Sequence, residues 1–213
     1  MKLYKFFFLC LPVFMFAADL SVEEKVGQIL MVHFNGSHAN EDARRLIQEV
    51  HAGGFVYYNW ANELSSSSQV CALSHGLQEL TDIPLFIAID EEGGVVQRLK
   101  ENFPLFPSNA DVGRTKDPEK AESLAIAMGM NLWSLGINVN LAPVVDICGE
   151  ASVIGERAFS DSPEEVVEFG RRALEGYRKV GIIPVLKHFP GLGDAIGRYH
   201  THCTIIRFAE RDC

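Results

Sequence analysis

The stretch Leu85-Phe86-Ile87-Ala88-Ile89-Asp90-Glu91-Glu92-Gly93-Gly94 joins a short apolar run to three acids and two glycines. A nearly all-apolar run of this length is typical of a strand whose two faces are both buried in a parallel sheet. The acids follow at the carboxyl end of this strand, and the glycines let the backbone turn sharply there. The stretch therefore predicts that Asp90 faces a ligand-binding mouth at that end of a parallel sheet.

The same alternation of helix and strand extends in both directions from this stretch. Ser21 with Glu24 three residues later predicts a helix start with a capping box. The apolar periodicity predicts strands at 29–34, 54–58, 85–90, 138–145 and 182–188, and helices at 40–50, 65–80, 118–135 and 162–180. Such an alternation is compatible with two α/β architectures, a (β/α)8 TIM-type barrel or an open doubly wound sheet.

The loops distinguish these two architectures. A doubly wound nucleotide-binding sheet carries a Gly-rich turn after its first strand, and residues 34–38 lack the G-x-G-x-x-G spacing. Polar residues instead follow the third, fourth and fifth strands, as Asp90, Asp146 and Lys187 show. A barrel places its active site at these strand ends. We therefore expect an α/β chain of the barrel type, and a doubly wound binding protein would require a different strand order.

The sequence contains only about the first five β-α units of such a barrel. A complete barrel takes eight strands and about 200 to 400 residues. Residues 204–213 supply no further strand-helix pair, so we expect a C-terminally truncated barrel. Five parallel strands alone would expose a sheet edge and the inner barrel surface, which predicts poor solubility or association.

Charge and composition exclude several classes of partner. The 213 residues carry a formal net charge of -9 without a Lys/Arg cluster, so we expect no nucleic-acid partner and a small uncharged or cationic substrate instead. The cysteines form no C-x-x-C pair and no short Cys/His spacing typical of a zinc site, so we expect no metal site.

The N-terminal residues 1–18 resemble a signal peptide. Lys2 and Lys5 precede an apolar run from Phe6 to Phe16, and small residues follow. We therefore expect an exported protein, periplasmic or secreted, with no stable membrane insertion if the signal is cleaved. The alternative is an uncleaved N-terminal anchor.

Two loops carry candidate ligand-binding side chains. Asp90 would accept hydrogen bonds from a ligand, and Arg98 would contact the same ligand or hold a carboxylate; the alternative is a solvated acidic turn with a surface Arg. Arg157 follows another strand and would clamp a polar ligand, or equally form a structural salt bridge.

The fifth strand carries the most informative residues. Lys187 and His188 end a buried run and need polar partners there. Further on, His200 and His202 lie beyond a Gly-containing turn. A lone His is more often a structural residue than a catalyst, so their number adds little by itself.

Four motifs together resemble glycoside hydrolase family 3, in its β-N-acetylhexosaminidase branch: IDEEGGVVQRL at 89–99, NVNLAPVVDI at 138–147, VIGERAFSDSPEEV at 153–166 and VLKHFPGLGD at 185–194. The resemblance covers nearly everything after the signal and assigns residues 19–213 to the N-terminal part of the catalytic barrel. It implies hydrolysis of terminal β-linked N-acetylglucosamine in peptidoglycan- or chitin-type fragments by a retaining mechanism, without metal or cofactor.

The resemblance also assigns residue roles. The terminal sugar would be bound by five side chains: Asp90, Arg98, Arg157, Lys187 and His188. His200 would be the general acid/base, which suits the pKa of an imidazole. The nucleophilic Asp of the family comes from a later strand and is absent from this chain.

The sequence departs from the family pattern in the last segment. Leu192 replaces the second His of K-H-F-P-G-H-G, and the Asp-x-His dyad reads Arg198-Tyr199-His200. A guanidinium near the imidazole disfavours its protonated form, unless Asp194 takes the orienting role. Two alternatives to an active hexosaminidase therefore stay open: a catalytically dead sugar-binding remnant, and a family 3 β-glucosidase.

Overall fold

A computed structural model describes residues 20–148 and 153–192 of the chain, together with the backbone pairing of 195–196 with 207–208. Seven α-helices lie in these segments: α1 (Val22–Gln28), α2 (Glu41–Gln48), α3 (Asn59–Asn62), α4 (Ser67–Gln78), α5 (Asn109–Arg114), α6 (Glu119–Ser134) and α7 (Pro163–Lys179). A short 3-10 helix, Gly155–Arg157, precedes α7. Seven short strands accompany them: β1 (Met31–Val32), β2 (Gly54–Tyr57), β3 (Phe86–Ile89), β4 (Val139–Asn140), β5 (Ile183–Pro184), β6 (Ala195–Ile196) and β7 (Arg207–Phe208).

The first five strands form one parallel sheet in the order β1-β2-β3-β4-β5. Each new strand is added on the same side of the previous one, as in a barrel. A doubly wound sheet would reverse direction at a switch point. The described part of the chain therefore has the α/β, barrel-type fold that the sequence predicts, with five parallel strands of which the first four are each followed by a helix, and the doubly wound alternative is wrong.

Several element boundaries differ from the sequence prediction. The fourth and fifth strands are shorter than the predicted 138–145 and 182–188, because Pro143 and Pro184 have no N–H for a strand ladder. A parallel bridge between Val144 and Lys187 continues the alignment beyond the two prolines. Helices α3 and α5 and the antiparallel pair of β6 and β7 are not among the elements that the sequence predicts.

Helix starts follow the capping chemistry of the sequence. Ser21 forms the predicted capping box with Glu24, and the Asn40 side chain accepts from the amide of Ala43. Ser162 caps α7, with Pro163 in the first turn. These caps satisfy backbone amides in the first turn of each helix, which have no partner within the helix.

The core lies between the sheet and the helices. Its fully buried members come from β2, β3, α4 and α6, and include Phe55, Tyr57, Ile87, Ile89, Leu73, Leu77, Met128 and Leu132. Helices α6 and α7 pack closely, since Gly176 leaves room for the carbonyl of Glu122, only 2.5 Å from where a Cβ would lie. Within the described segments, no helix is long and apolar enough to cross a membrane.

Candidate active site at the carboxyl ends of the strands

Charged side chains converge where β3, β4 and β5 end. Asp90 follows β3 directly, Asp146 follows the loop after β4, and Lys187 and His188 follow β5. Parallel strands bring their carboxyl ends to one edge, so residues distant in sequence meet there. Their side chains form one connected network.

Asp90 accepts from two cations. Its Oδ1 lies 2.7 Å from the Lys187 ammonium, and its Oδ2 lies 3.3 Å from Nη2 of Arg98. Burial raises the pKa of Asp90, but the charges of Lys187 and Arg98 outweigh burial and hold the pKa below its usual value. Nε of Arg98 is buried and has no hydrogen-bond partner among the described residues. The Asp90 carboxylate is thus ionised and held in a fixed position.

Glu92 also binds two cations, and it is nearly fully buried. Arg157 donates from Nε and Nη2 to the two Glu92 oxygens at 2.8 and 2.9 Å, and the Lys187 ammonium lies 2.5 Å from Oε1. Burial lowers the pKa of Arg157, but the Glu92 carboxylate raises it to a value above normal. The structural ion pair that the sequence left open for Arg157 is therefore present, within the network.

His188 is oriented by a buried carboxylate. Its Nδ1 lies 2.6 Å from Oδ2 of Asp146, and its Nε2 lies 3.4 Å from Nη2 of Arg157. A proton on Nδ1 and a lone pair on Nε2 satisfy both contacts, which assigns the tautomer. Asp146 also accepts from the amides of His188 and Leu192 at 3.3 and 2.5 Å. The turn after β5 is thereby fixed to the end of β4.

Glu91 anchors the loop that carries Arg98. This fully buried carboxylate accepts from Gln97 Nε2 at 2.9 Å and from the amides of Arg98 and Leu99 at 2.9 and 3.2 Å. Burial raises its pKa, although all three hydrogen bonds oppose that shift. Its backbone pairs with the side chain of Asn140 on β4. Glu91 thus determines where Arg98 lies.

The structure brings together all five predicted sugar-binding residues. The predicted acid/base His200 lies outside the described residues, as do Asp194 and Arg198. The alternative interpretation of this stretch as a solvated acidic turn is wrong for Glu91 and Glu92, because both are buried. Sequence reasoning did not include Glu91, Glu92 and Asp146 among the site residues, although each stands in a motif that it singled out.

The network balances its charges. The three carboxylates are those of Asp90, Glu92 and Asp146, and the three permanent cations are Arg98, Arg157 and Lys187. A charged ligand gains little from such a balanced site, whereas a neutral ligand with many hydroxyl groups finds both donors and acceptors in fixed positions. No group of three metal-ligating side chains occurs within the described residues. The fold and this network together define a barrel-type protein with a polar ligand site at the carboxyl edge of its sheet.

Residues 21–212 match the glycosyl hydrolase family 3 N-terminal domain, and the chain belongs to that family. Among curated relatives, the β-hexosaminidase of Photobacterium profundum is 33% identical over 80% of this chain and 51% of its own length. The β-hexosaminidase LpqI of Mycobacterium tuberculosis is 32% identical over 86% of this chain and 46% of its own length. The chain thus spans about half the length of these relatives.

Solved structures give the same result. A family 3 β-N-acetylglucosaminidase from Paenibacillus sp. str. FPU-7 superposes with a TM-score of 0.80 at 40% identity, covering 85% of this chain and 35% of that one. NagZ from Neisseria gonorrhoeae, in complex with N-trifluoroacetyl-D-glucosamine, superposes with a TM-score of 0.75 at 26% identity, covering 80% of this chain and 52% of that one.

Proposed function

We propose that this chain is the N-terminal part of a retaining β-N-acetylhexosaminidase that removes terminal β-linked N-acetylglucosamine from peptidoglycan- or chitin-type fragments. The observation that carries the proposal is the charge-balanced network at the carboxyl edge of the sheet, in which Lys187 bridges Asp90 and Glu92. Relatives that match most of this chain are named β-hexosaminidases, which supports the same substrate class.

In this proposal the network binds the terminal sugar. Asp90 accepts from a pair of ring hydroxyls while Lys187 and Arg98 keep it ionised. His188, fixed by Asp146, presents one edge of its imidazole to the same space. His200 donates a proton to the leaving oxygen and later activates water. The nucleophile that forms the glycosyl-enzyme is the Asp that the resemblance assigns to a later barrel strand.

Substrate turnover tests this proposal. We expect the complete gene product to release nitrophenol from p-nitrophenyl N-acetyl-β-D-glucosaminide in preference to the β-glucoside. Cleavage of the β-glucoside alone would overturn the assignment in favour of the β-glucosidase alternative. Binding of N-acetylglucosamine without turnover favours the sugar-binding remnant, which Arg198 at the usual Asp position makes a specific second candidate.

A matched pair of variants tests the network itself. Asp90→Asn removes the negative charge that pairs with Lys187 and Arg98. We therefore expect about a tenfold or larger loss of N-acetylglucosamine affinity in calorimetry. Asp82→Asn changes an exposed Asp in the loop before β3 and should leave the affinity unchanged. If Asp90→Asn and Asp82→Asn bind N-acetylglucosamine equally well, the sugar does not bind at Asp90.

We also propose that residues 1–18 direct export. Lys2 and Lys5 followed by an apolar run support this localisation. A fusion of residues 1–18 to alkaline phosphatase, which is active only outside the cytoplasm, should be active. Mass spectrometry of the mature N-terminus then distinguishes a cleaved signal from an uncleaved anchor.

A further inference from the structure

Three aromatic rings cluster at the carboxyl ends of the first two strands. His33 follows β1, Tyr58 follows β2, and Trp60 lies in the short helix α3. The rings of Tyr58 and Trp60 are stacked, with centroids 5.3 Å apart and planes 20° from parallel. His33 meets both rings edge-on, at 5.9 and 5.0 Å. These three rings, the aromatic platform, therefore hold one another in a fixed orientation.

Most of the Trp60 indole in this platform is exposed to solvent. Trp60 is 69% exposed, although Tyr58 covers part of it. Trp60 belongs neither to the buried core cluster around Phe55 and Ile87 nor to the partly buried side chains packed against that cluster. A rigid, exposed and pre-oriented aromatic ring beside a polar site is a surface suited to a ligand.

The platform is continuous with the candidate site. Tyr57 on β2 is paired with Ile89 on β3, so Tyr58 and Asp90 are the next residues on neighbouring strands. Neighbouring strands lie about 5 Å apart. The Asn59 side chain, between the two stacked residues in sequence, donates to the backbone carbonyl of Arg98. A ligand bound at Asp90 and Arg98 thus has the platform as its neighbour on the β2 side.

We propose that the aromatic platform binds the second sugar ring of a β-linked oligosaccharide whose terminal ring occupies the charge network. This inference rests on the proposed function and extends it to the aglycone. A β-linked N-acetylglucosamine carries its substituents around the ring equator, so its two faces present C–H groups. Such a face packs on the exposed side of Trp60, whereas the hydroxyls of the terminal ring need the charges around Asp90.

Calorimetry with two sugars tests the inference. N-acetylglucosamine reports the terminal-sugar site, and thio-linked N,N'-diacetylchitobiose, whose sulfur linkage resists hydrolysis, reports both sites. We expect the full chain to bind the disaccharide more tightly than the monosaccharide. Trp60→Ala should weaken disaccharide binding about tenfold and leave monosaccharide binding unchanged. Trp60→Phe should retain part of the difference.

Trp133 supplies the matched control. It is the only other tryptophan of the chain, it is 67% exposed, and it lies on α6, away from the strand ends. Trp133→Ala should change neither affinity. In Trp133→Phe the emission reports Trp60 alone, so disaccharide should shift it and monosaccharide should not.

The outcomes separate the two proposals. Equal wild-type affinity for the two sugars would overturn the inference alone, as would a disaccharide advantage that survives Trp60→Ala. A wild-type chain that binds neither sugar would overturn the proposed function and the inference with it, and this failure is visible already with the monosaccharide.

Discussion

Three consecutive acids after β3 have three different environments. Asp90 contacts two cations at the strand end, Glu91 is buried against backbone amides, and Glu92 is buried against Arg157. Glu91 lies behind the site and contacts the loop that carries Arg98, so its effect on a ligand is indirect. All its side-chain contacts are acceptor contacts, as an ionised carboxylate requires.

Glu91→Gln should destabilise the protein despite its nearly identical shape. The amide oxygen can still accept from Arg98 and Leu99, but the new NH2 then faces Nε2 of Gln97. Gln97 cannot simply rotate its amide, because its Oε1 accepts from the amide of Phe106. The new amide N–H has no acceptor there, and Gln97 Nε2 is left with its long 3.4 Å contact to the carbonyl of Pro104. This loss should cost about 1–3 kcal/mol, measured as a lower free energy of unfolding in urea.

Glu41→Gln is the control for this prediction. Glu41 is highly exposed on α2 and forms a surface ion pair with Arg44, so the free energy of unfolding should change by about 1 kcal/mol at most. If Glu91→Gln is no less stable than Glu41→Gln, the hydrogen bonds of Glu91 do not hold the loop as described.

At the scale of single residues, the sequence predicted which charged or polar side chains need partners because they are costly to bury. Lys187 and His188 end an apolar strand, and each has the carboxylate partner that burial demands. The partners were harder to identify, because the strand alternation that separates inward from outward side chains ends at Ile89. Beyond that residue, only the turn geometry distinguishes Glu91 from Asp90.

At the scale of elements, the sequence predicted the long helices best. Helices α6 and α7 repeat apolar residues over four turns and directly follow Pro118 and Ser162, which are recognisable start signals. Helix α5 has only six residues, too few for a periodic pattern. The start of α5 could nevertheless have been predicted from the sequence, since Ser108 and Asp111 form a capping box.

Helix α5 supports the site through close packing. A Cβ on Gly113 would lie 1.8 Å from the carbonyl oxygen of Phe159, two residues after Arg157. In addition, Asn109 donates to the backbone carbonyl of Arg157 at 2.8 Å. The helix therefore holds the backbone of the segment that brings Arg157 to Glu92.

Gly113→Ala should consequently destabilise the protein and displace Arg157. Overpacking against a backbone atom costs about 1–3 kcal/mol, more than the gain in helix propensity from Ala. Thermal unfolding should show a lower midpoint, and N-acetylglucosamine affinity should fall with it. The control is Gly76→Ala in α4, where the nearest atom is a side-chain methyl at 3.2 Å and the site is remote. Equal midpoints for the two variants would contradict this role of α5.

For the whole molecule, the sequence predicted the architecture because helices and strands alternate along the chain as far as β5 and the polar residues share one edge. It did not predict the exact strand lengths, since prolines interrupt the ladder without changing the chain direction. Within the described residues, β1 and β5 each have one neighbour in the sheet. Apolar side chains at these edges are exposed: Ile29, Leu30, Met31, Ile183, Val185, Leu186 and Phe189.

These two edges predict that the 213-residue chain associates on its own. Unpaired strand edges with apolar side chains favour contact between copies, because pairing buries both the backbone groups and the side chains. Light scattering after size exclusion should show a mass that rises with concentration. Ile183→Lys places a charge on edge strand β5, where Ile183 is 47% exposed, and should reduce association. Val167→Lys on α7, at a site 69% exposed, should not. A wild-type chain that stays monomeric at every concentration would mean that other residues cover these edges.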